Sequence, residues 1–406
     1  MATTVPPKTA ASRKVRPRTK PLVLSEPASE KANGAREADA HAVVLALRKR
    51  LGPKSTTKVQ LLSDGSTTSE VKEWISTGFA DLDRVLGGGW AVGRCSEVFG
   101  DEACGKSALA HVAIRECQKA GGIALLLDFE QALDKKKIKN VGIDETKLIY
   151  TAPETMEEGW EVVWTFLASL KGRKFDGPVL IVWDSIAAAI PKAEVEGKMD
   201  EAVIGAHARL MSKGCRKASK RVAEARAHLM WINQYRTKFG GGGWHGGPDK
   251  DTTGGRAAKF YASQRLACHR VKRIKPNQDA GTPPSGYLIV SVTEKCRLAP
   301  PHRKTEWVLD FKDGPSTAAT TLHLLREAKL VRPKGSGQAT APWLPKGETF
   351  RLRKWPELWR EKGFRNGARK ALRGLVEAGG VAEYLYARKA AKGEVDEDSD
   401  VEEGDE

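Results

Sequence analysis

Gly100-Asp-Glu-Ala-Cys-Gly-Lys-Ser107 follows the pattern G-x-x-x-x-G-K-S/T, and the fold class follows from what surrounds it. Gly100 and Gly105 permit a tight loop in which Asp101, Glu102, Ala103 and Cys104 turn backbone N–H groups inward, toward phosphate oxygens. Lys106 supplies a compact positive charge to the outer phosphates, and Ser107 offers a hydroxyl to Mg²⁺. The spacing after the loop predicts a helix over 107–119, whose N-terminal dipole favours an anion. Residues 95–99 just before it read as a short strand. Strand, glycine loop and helix in that order make a nucleoside triphosphate site.

Working outward, residues 122–127, 179–183 and 229–232 are short continuous apolar runs, as expected of strands buried on both faces. Helical stretches separate them, which predicts an α/β architecture with a mostly parallel central sheet flanked by helices. Asp184 ends the run 179–183 at the carboxyl edge of that sheet, where such folds bind ligands. It is the candidate second partner for Mg²⁺; a helix cap is the other use of an aspartate there. Hydrolysis also needs a carboxylate for the attacking water. Glu130 and Asp128 both follow the strand at 122–127, and periodicity does not choose between them.

The 406 residues carry 68 Lys and Arg against 51 Asp and Glu, a net charge of +17. That surplus favours a polyanionic partner, nucleic acid being the commonest. Six scattered cysteines, at 95, 104, 117, 215, 268 and 296, form no CxxC pair and fit a reducing compartment. No apolar run approaches the length that spans a membrane. The expected location is cytoplasmic and nucleoid-associated, with organellar targeting left open by an N-terminus rich in Arg, Lys, Thr and Pro.

Composition divides the chain. Residues 1–39 read as a disordered basic tail, 40–70 as an N-terminal oligomerisation helix and strand, and 71–332 as the nucleotide-binding core. Pro, Gly, Lys and Ser at 332–337 suggest a linker. A small basic module with Trp343, Trp355 and Trp359 then occupies 333–393. Nine of the last thirteen residues are acidic, so the rest of the chain carries +26, and residues 394–406 read as a disordered tail suited equally to compete for the body's polyanion site or to keep the chain in solution.

At 100° per residue, Arg209, Lys213, Arg216 and Lys220 fall on one face of a helix predicted over 204–229. Met211, Cys215, Ala218, Val222 and Ala225 fall on the opposite face. Such a ridge can follow a phosphate backbone; a merely solvated face has the same pattern. Residues 239–255 hold eight glycines with Trp244 among them. Gly254 and Gly255 can present bare amides to a phosphate, and Trp244 can stack on bases.

Ile75-Ser-Thr-Gly78 with Leu82-Asp83, the phosphate loop and Asp128-Phe-Glu-Gln-Ala-Leu-Asp134 together resemble the bacterial RecA family. Asp184-Ser185, Pro191-Lys-Ala-Glu-Val-Glu-Gly197, Ile232-Asn-Gln-Tyr-Arg236, Thr252-Thr-Gly-Gly255 and Lys259-Phe-Tyr-Ala-Ser263 continue the series in order, over residues 42–330. The resemblance implies a RecA-like P-loop ATPase core with a short N-terminal helical oligomerisation element and a small C-terminal module. It makes Glu130 the water-activating carboxylate and Gln234 the residue that senses the γ-phosphate and relays it to the DNA loops. Lys295 and Arg297 match a basic pair that reaches ATP across the subunit interface. Asp134 and Ser185 join the nucleotide set; Arg209, Ser212, Arg216 and Arg236 join the DNA-contacting set, and residues 194–204 match the first DNA loop.

Some positions depart from the family pattern. Lys137 stands where a tyrosine usually stacks on the adenine, and Gln131 replaces a common histidine. Cys104 and Ser107 replace Ser and Thr, Arg256 adds a charge, and the second DNA loop is about two residues longer. The expected protein is a DNA-dependent ATPase that uses ATP and Mg²⁺ to form helical homo-oligomeric filaments on single-stranded DNA, pairs them with double-stranded DNA and exchanges strands. The alternative is a RecA-like accessory or regulatory ATPase without strand exchange.

Overall fold

The computed structural model describes residues 30–53, 55, 59–64, 70–172, 176–197, 205–242, 248–275 and 282–384, with the backbone alone described at 30–38, 64, 236–242 and 248–251. The chain divides at Glu70 into two units. The first holds helix α1, Glu30–Leu51. It starts ten residues before the predicted 40; the rest of the expected basic tail, residues 1–29, and the expected acidic tail, 394–406, lie outside the described residues. Glu, Lys, Ala and Arg over residues 30–38 are good helix formers without an apolar stripe, which is why they read as tail. The helix stops at Gly52, whose φ of 75° is left-handed, and Pro53.

In the second unit, β1 (Cys95–Gly100), β2 (Ile123–Asp128), β3 (Leu148–Thr151), β4 (Val179–Asp184) and β5 (Ala227–Gly242) are all parallel, in the spatial order β1-β5-β4-β2-β3. On the far side of β1, β6 (Gln264–Ile274) pairs parallel to it, and β7 (Gly286–Cys296) and β8 (Lys304–Asp310) extend the sheet antiparallel. The antiparallel half escaped the sequence reading because hydrophobicity and burial part company there: in β7, Ser291 and Thr293 are buried while Tyr287, Val290 and Val292 are only half-buried.

Alternation also builds the two cores. Val98, Leu126, Val182 and Ile232 point to one face, against α2 (Ala80–Leu86) and α3 (Lys106–Lys119). Leu125, Leu127, Ile181, Leu229 and Trp231 point to the other, against α4 (Met156–Ser169) and α5 (Ala206–Glu224). Each fully buried Leu or Ile contributes about 1.5–3 kcal/mol. α4 starts on a capping box in which Thr155 and Glu158 satisfy each other's backbone N–H groups.

Register places the chemistry. Gly100 pairs with Gln234 across β1 and β5, and Asp128 pairs with Asp184 across β2 and β4. All four therefore stand at one carboxyl edge.

The C-terminal region corrects two expectations. Residues 332–337 are not a linker but most of a hairpin, Arg332–Gly335 against Gln338–Thr340. The module also begins before 333. Leu324, Leu325, Ala328 and Val331 share one buried cluster with Phe350, Trp355, Leu372 and Leu375, so the helix Thr317–Glu327 belongs to its core. Trp355 is 2 % exposed and packs with Trp343 and Trp359. The tryptophans fill that core.

Candidate nucleotide and nucleic-acid sites

The phosphate loop is pinned by packing. A Cβ on Gly100 would meet the Cys268 carbonyl oxygen at 2.2 Å, and one on Gly105 would meet the Trp307 ring at 2.6 Å. Both glycines are therefore obligatory, and Gly105 is left-handed at φ 84°. Ala103 shares that region at φ 53°, an uncommon conformation for a residue with a side chain. α3 begins at Lys106 with no side-chain cap and no acidic residue in its first turn, leaving its end N–H groups for an anion. Lys106 is nearly buried, its Nζ donating to the carbonyls of Gly100 (3.1 Å) and Asp101 (2.5 Å) and lying 3.7 Å from Cys104 Sγ.

Asp184 is buried and accepts a hydrogen bond from Ser107, while its Oδ1 has no partner among the described residues. Burial, the largest cause, pushes its carboxyl up to about 7; the Ser107 bond opposes this, and the nearby Glu130 and Asp128 reinforce it. A carboxylate so placed gains from a cation. Among the described residues no three His, Cys, Asp or Glu side chains form a metal cage. That donor set suits Mg²⁺, which uses one or two protein oxygens and completes its shell with phosphate and water.

The structure separates the two carboxylates that periodicity left equal. Asp128 is buried and accepts from the N–H groups of Ala132 and Leu133 and from Tyr150 Oη, so it organises its own loop. Glu130 faces the cleft, where its Oε1 accepts from Ser185 Oγ at 2.7 Å and from Gln234 Nε2 at 3.4 Å.

Glu130 and Gln234 line a cleft of about 590 Å³ with Glu102, Ala103, Cys104, Gly105, Lys106 and Ser107 along it; Asp184 and Ser185 are not among its lining residues. Farther along lie Asp134, Lys137, Asn140, Tyr287 and Phe311. Asp134 accepts from the Lys136 N–H as a helix cap. Phe311, half exposed, meets the Tyr287 ring edge-on at 4.9 Å. The sequence reading missed both rings, since they arrive from the antiparallel strands it did not see. It also missed His111, which lines the cleft and which burial pushes down to about 4 and so keeps neutral.

Lys295 and Arg297 are not among the cleft's lining residues. Lys295 Nζ donates to the carbonyls of Lys259 and Phe260, and Arg297 donates to that of Phe260. Desolvation, with Arg297 and Arg265 adding repulsion, pushes Lys295 down to about 8.

On α5, Arg209, Lys213, Arg216 and Lys220 are exposed, while Met211, Cys215, Ala218 and Val222 are buried. Ser212 is half-buried between the two faces. The short helix α6, Gly255–Tyr261, starts behind Gly254, and a Cβ on Gly255 would come within 3.3 Å of Ala208 Cβ. Packing thus sets Gly254 and Gly255 beside the start of the basic ridge. Arg236 lies on β5, where the backbone alone is described; Trp244 and residues 198–204 lie outside the described residues.

The family described as the RecA N-terminal domain matches residues 42–316. The chain belongs to the RecA family. Protein RecA of Nostoc sp. (strain PCC 7120 / SAG 25.82 / UTEX 2576) is 35 % identical over 352 residues, covering 86 % of this chain and 93 % of that protein. Protein RecA of Prochlorococcus marinus (strain MIT 9211) is 39 % identical over 264 residues, 65 % of this chain and 68 % of that one. Protein RecA of Trichormus variabilis is 37 % identical over 283 residues, 70 % of this chain and 75 % of that one. RecA-family membership makes the chain an ATP hydrolase and recombinase of DNA repair. No described helix is long and apolar enough to cross a membrane.

Proposed function

We propose that this RecA-family ATPase assembles on single-stranded DNA as a helical filament with ATP at the seam between copies, and pairs that strand with homologous duplex. The observation that carries the reading is the meeting of Glu130, Ser185 and Gln234, the last on β5, which runs on from Gln234 to Gly242.

Lys106 and the loop N–H groups bind the triphosphate of one copy. Ser107 and Asp184 would hold Mg²⁺, which offsets phosphate charge when bound. Glu130, oriented by Ser185, takes the proton of the attacking water. Lys295 and Arg297, away from their own cleft, complete the ATP site of the neighbouring copy. Hydrolysis removes the charge that this pair answers, so the ADP state holds DNA less tightly. Exposed Val43, Leu45 and Leu47 on α1 give a neighbouring copy apolar surface to cover.

DNA-stimulated phosphate release together with joint-molecule formation tests this function; a native chain that shows neither is not the enzyme described. Arg209→Ala and Arg216→Ala should each flatten the plot of log DNA affinity against log salt by roughly one unit. Unchanged slopes in fluorescence anisotropy titrations for both would remove α5 from the DNA surface.

A further inference from the structure

Glu97 lies on β1, three residues before the phosphate loop, and is 0 % exposed. An isolated carboxylate at that depth would be prohibitively costly. Arg265 Nε donates to its Oε2 at 2.5 Å and Asn233 Nδ2 to its Oε1 at 2.8 Å. Arg265 also spans outward, NH1 reaching Glu294 at 2.9 Å while its guanidinium lies 4.4 Å from the Phe99 ring centre.

Asn233, itself fully buried, bonds in two further directions. Its Nδ2 donates to the Thr253 carbonyl at 2.7 Å, and its Oδ1 accepts from the Gln234 N–H at 2.9 Å. One amide therefore ties three segments: the strand entering the phosphate loop, the residue in contact with Glu130, and the residue just before Gly254-Gly255. Glu294, at the network's outer end, precedes Lys295.

From this geometry we infer that Asn233 is a positioning residue that couples the nucleotide site to the DNA-facing loop, with the Glu97–Arg265 pair as its fixed anchor. The inference rests on the function proposed above. Its logic is that both donors and the carbonyl oxygen of one buried amide are engaged, and the uses lie on segments that must respond together. A change at Gln234 shifts the Asn233 backbone, and the same amide holds the Thr253 carbonyl. The loop end then follows nucleotide state instead of moving independently. Asn233→Ala leaves the Glu97–Arg265 bond in place, so the buried carboxylate keeps its countercharge while Gln234 and Thr253 lose their shared clamp.

The experiment compares ATP turnover by native and Asn233→Ala chains with and without single-stranded DNA. The ratio of stimulated to unstimulated rate should fall about tenfold, the size expected for losing one or two buried hydrogen bonds, while the ATP KM stays within about threefold. A ratio equal to the native one overturns the inference, as does a KM that rises in step with the loss. If a thermal melt shows Asn233→Ala to be unfolded, Glu294→Ala decides the matter, since it removes the outer bond of Arg265 and a 3.4 Å bond from Tyr235 Oη while leaving the Glu97–Arg265–Asn233 contacts in place. That variant should lose stimulation by about threefold, and an unchanged ratio overturns the coupling. A native chain without any DNA stimulation would instead refute the underlying function, so the two failures are distinguishable.

Discussion

Lys106→Ala abolishes ATP-dependent DNA binding: that is the first of the two largest effects expected here. The native ammonium is held beside the loop by the Gly100 and Asp101 carbonyls, poised for phosphate rather than committed to a carboxylate. Charge-assisted bonds of this kind are worth about 1.5–3 kcal/mol each, and a triphosphate takes more than one, so nucleotide affinity should fall by roughly two to three orders of magnitude. DNA affinity measured by fluorescence anisotropy should then be the same with and without a non-hydrolysable ATP analogue. ATP-dependent binding that persists in this variant contradicts the assigned phosphate site.

Glu130→Gln separates binding from chemistry. The amide oxygen can still accept from Ser185, so the local geometry holds, but glutamine cannot take a proton from water. ATP turnover should drop by about 10²–10⁴-fold, the usual contribution of a positioned general base, while ATP-dependent DNA binding survives and persists longer. Phosphate release and anisotropy on the same preparation check both halves. Turnover within tenfold of native would return the role to another group, with Asp128 excluded by its engagement with Ala132 and Leu133.

The part of the site legible in the sequence is the part where physics leaves little choice of residue. A loop that wraps phosphate requires small residues where Gly100 touches Cys268 and Gly105 touches Trp307, and a strand buried on both faces requires an apolar run such as that of β4. Both features were visible as text. The basic and apolar faces of α5 were legible for the same reason, because helical periodicity is local.

What the sequence left open depends on partners far along the chain. Asp128 and Glu130 sit two residues apart at one sheet edge, and only the positions of Ser185 and Gln234 show which carboxylate enters the cleft. Tyr287 on β7 and Phe311, just past the end of β8, reach the cleft from segments whose burial does not follow their hydrophobic pattern. The hairpin at Arg332–Thr340 has short, mostly exposed strands and a glycine-rich turn, a composition shared with linkers. Its structural role comes from the neighbouring cluster around Trp355, which the helix Thr317–Glu327 completes.

Electron microscopy of the purified chain with single-stranded DNA, with and without a non-hydrolysable ATP analogue, addresses nucleotide-gated assembly most directly. Regular helical filaments that form with the analogue and DNA, and dissolve when ADP replaces the analogue, are the predicted result. Separate particles under every one of those conditions would contradict it.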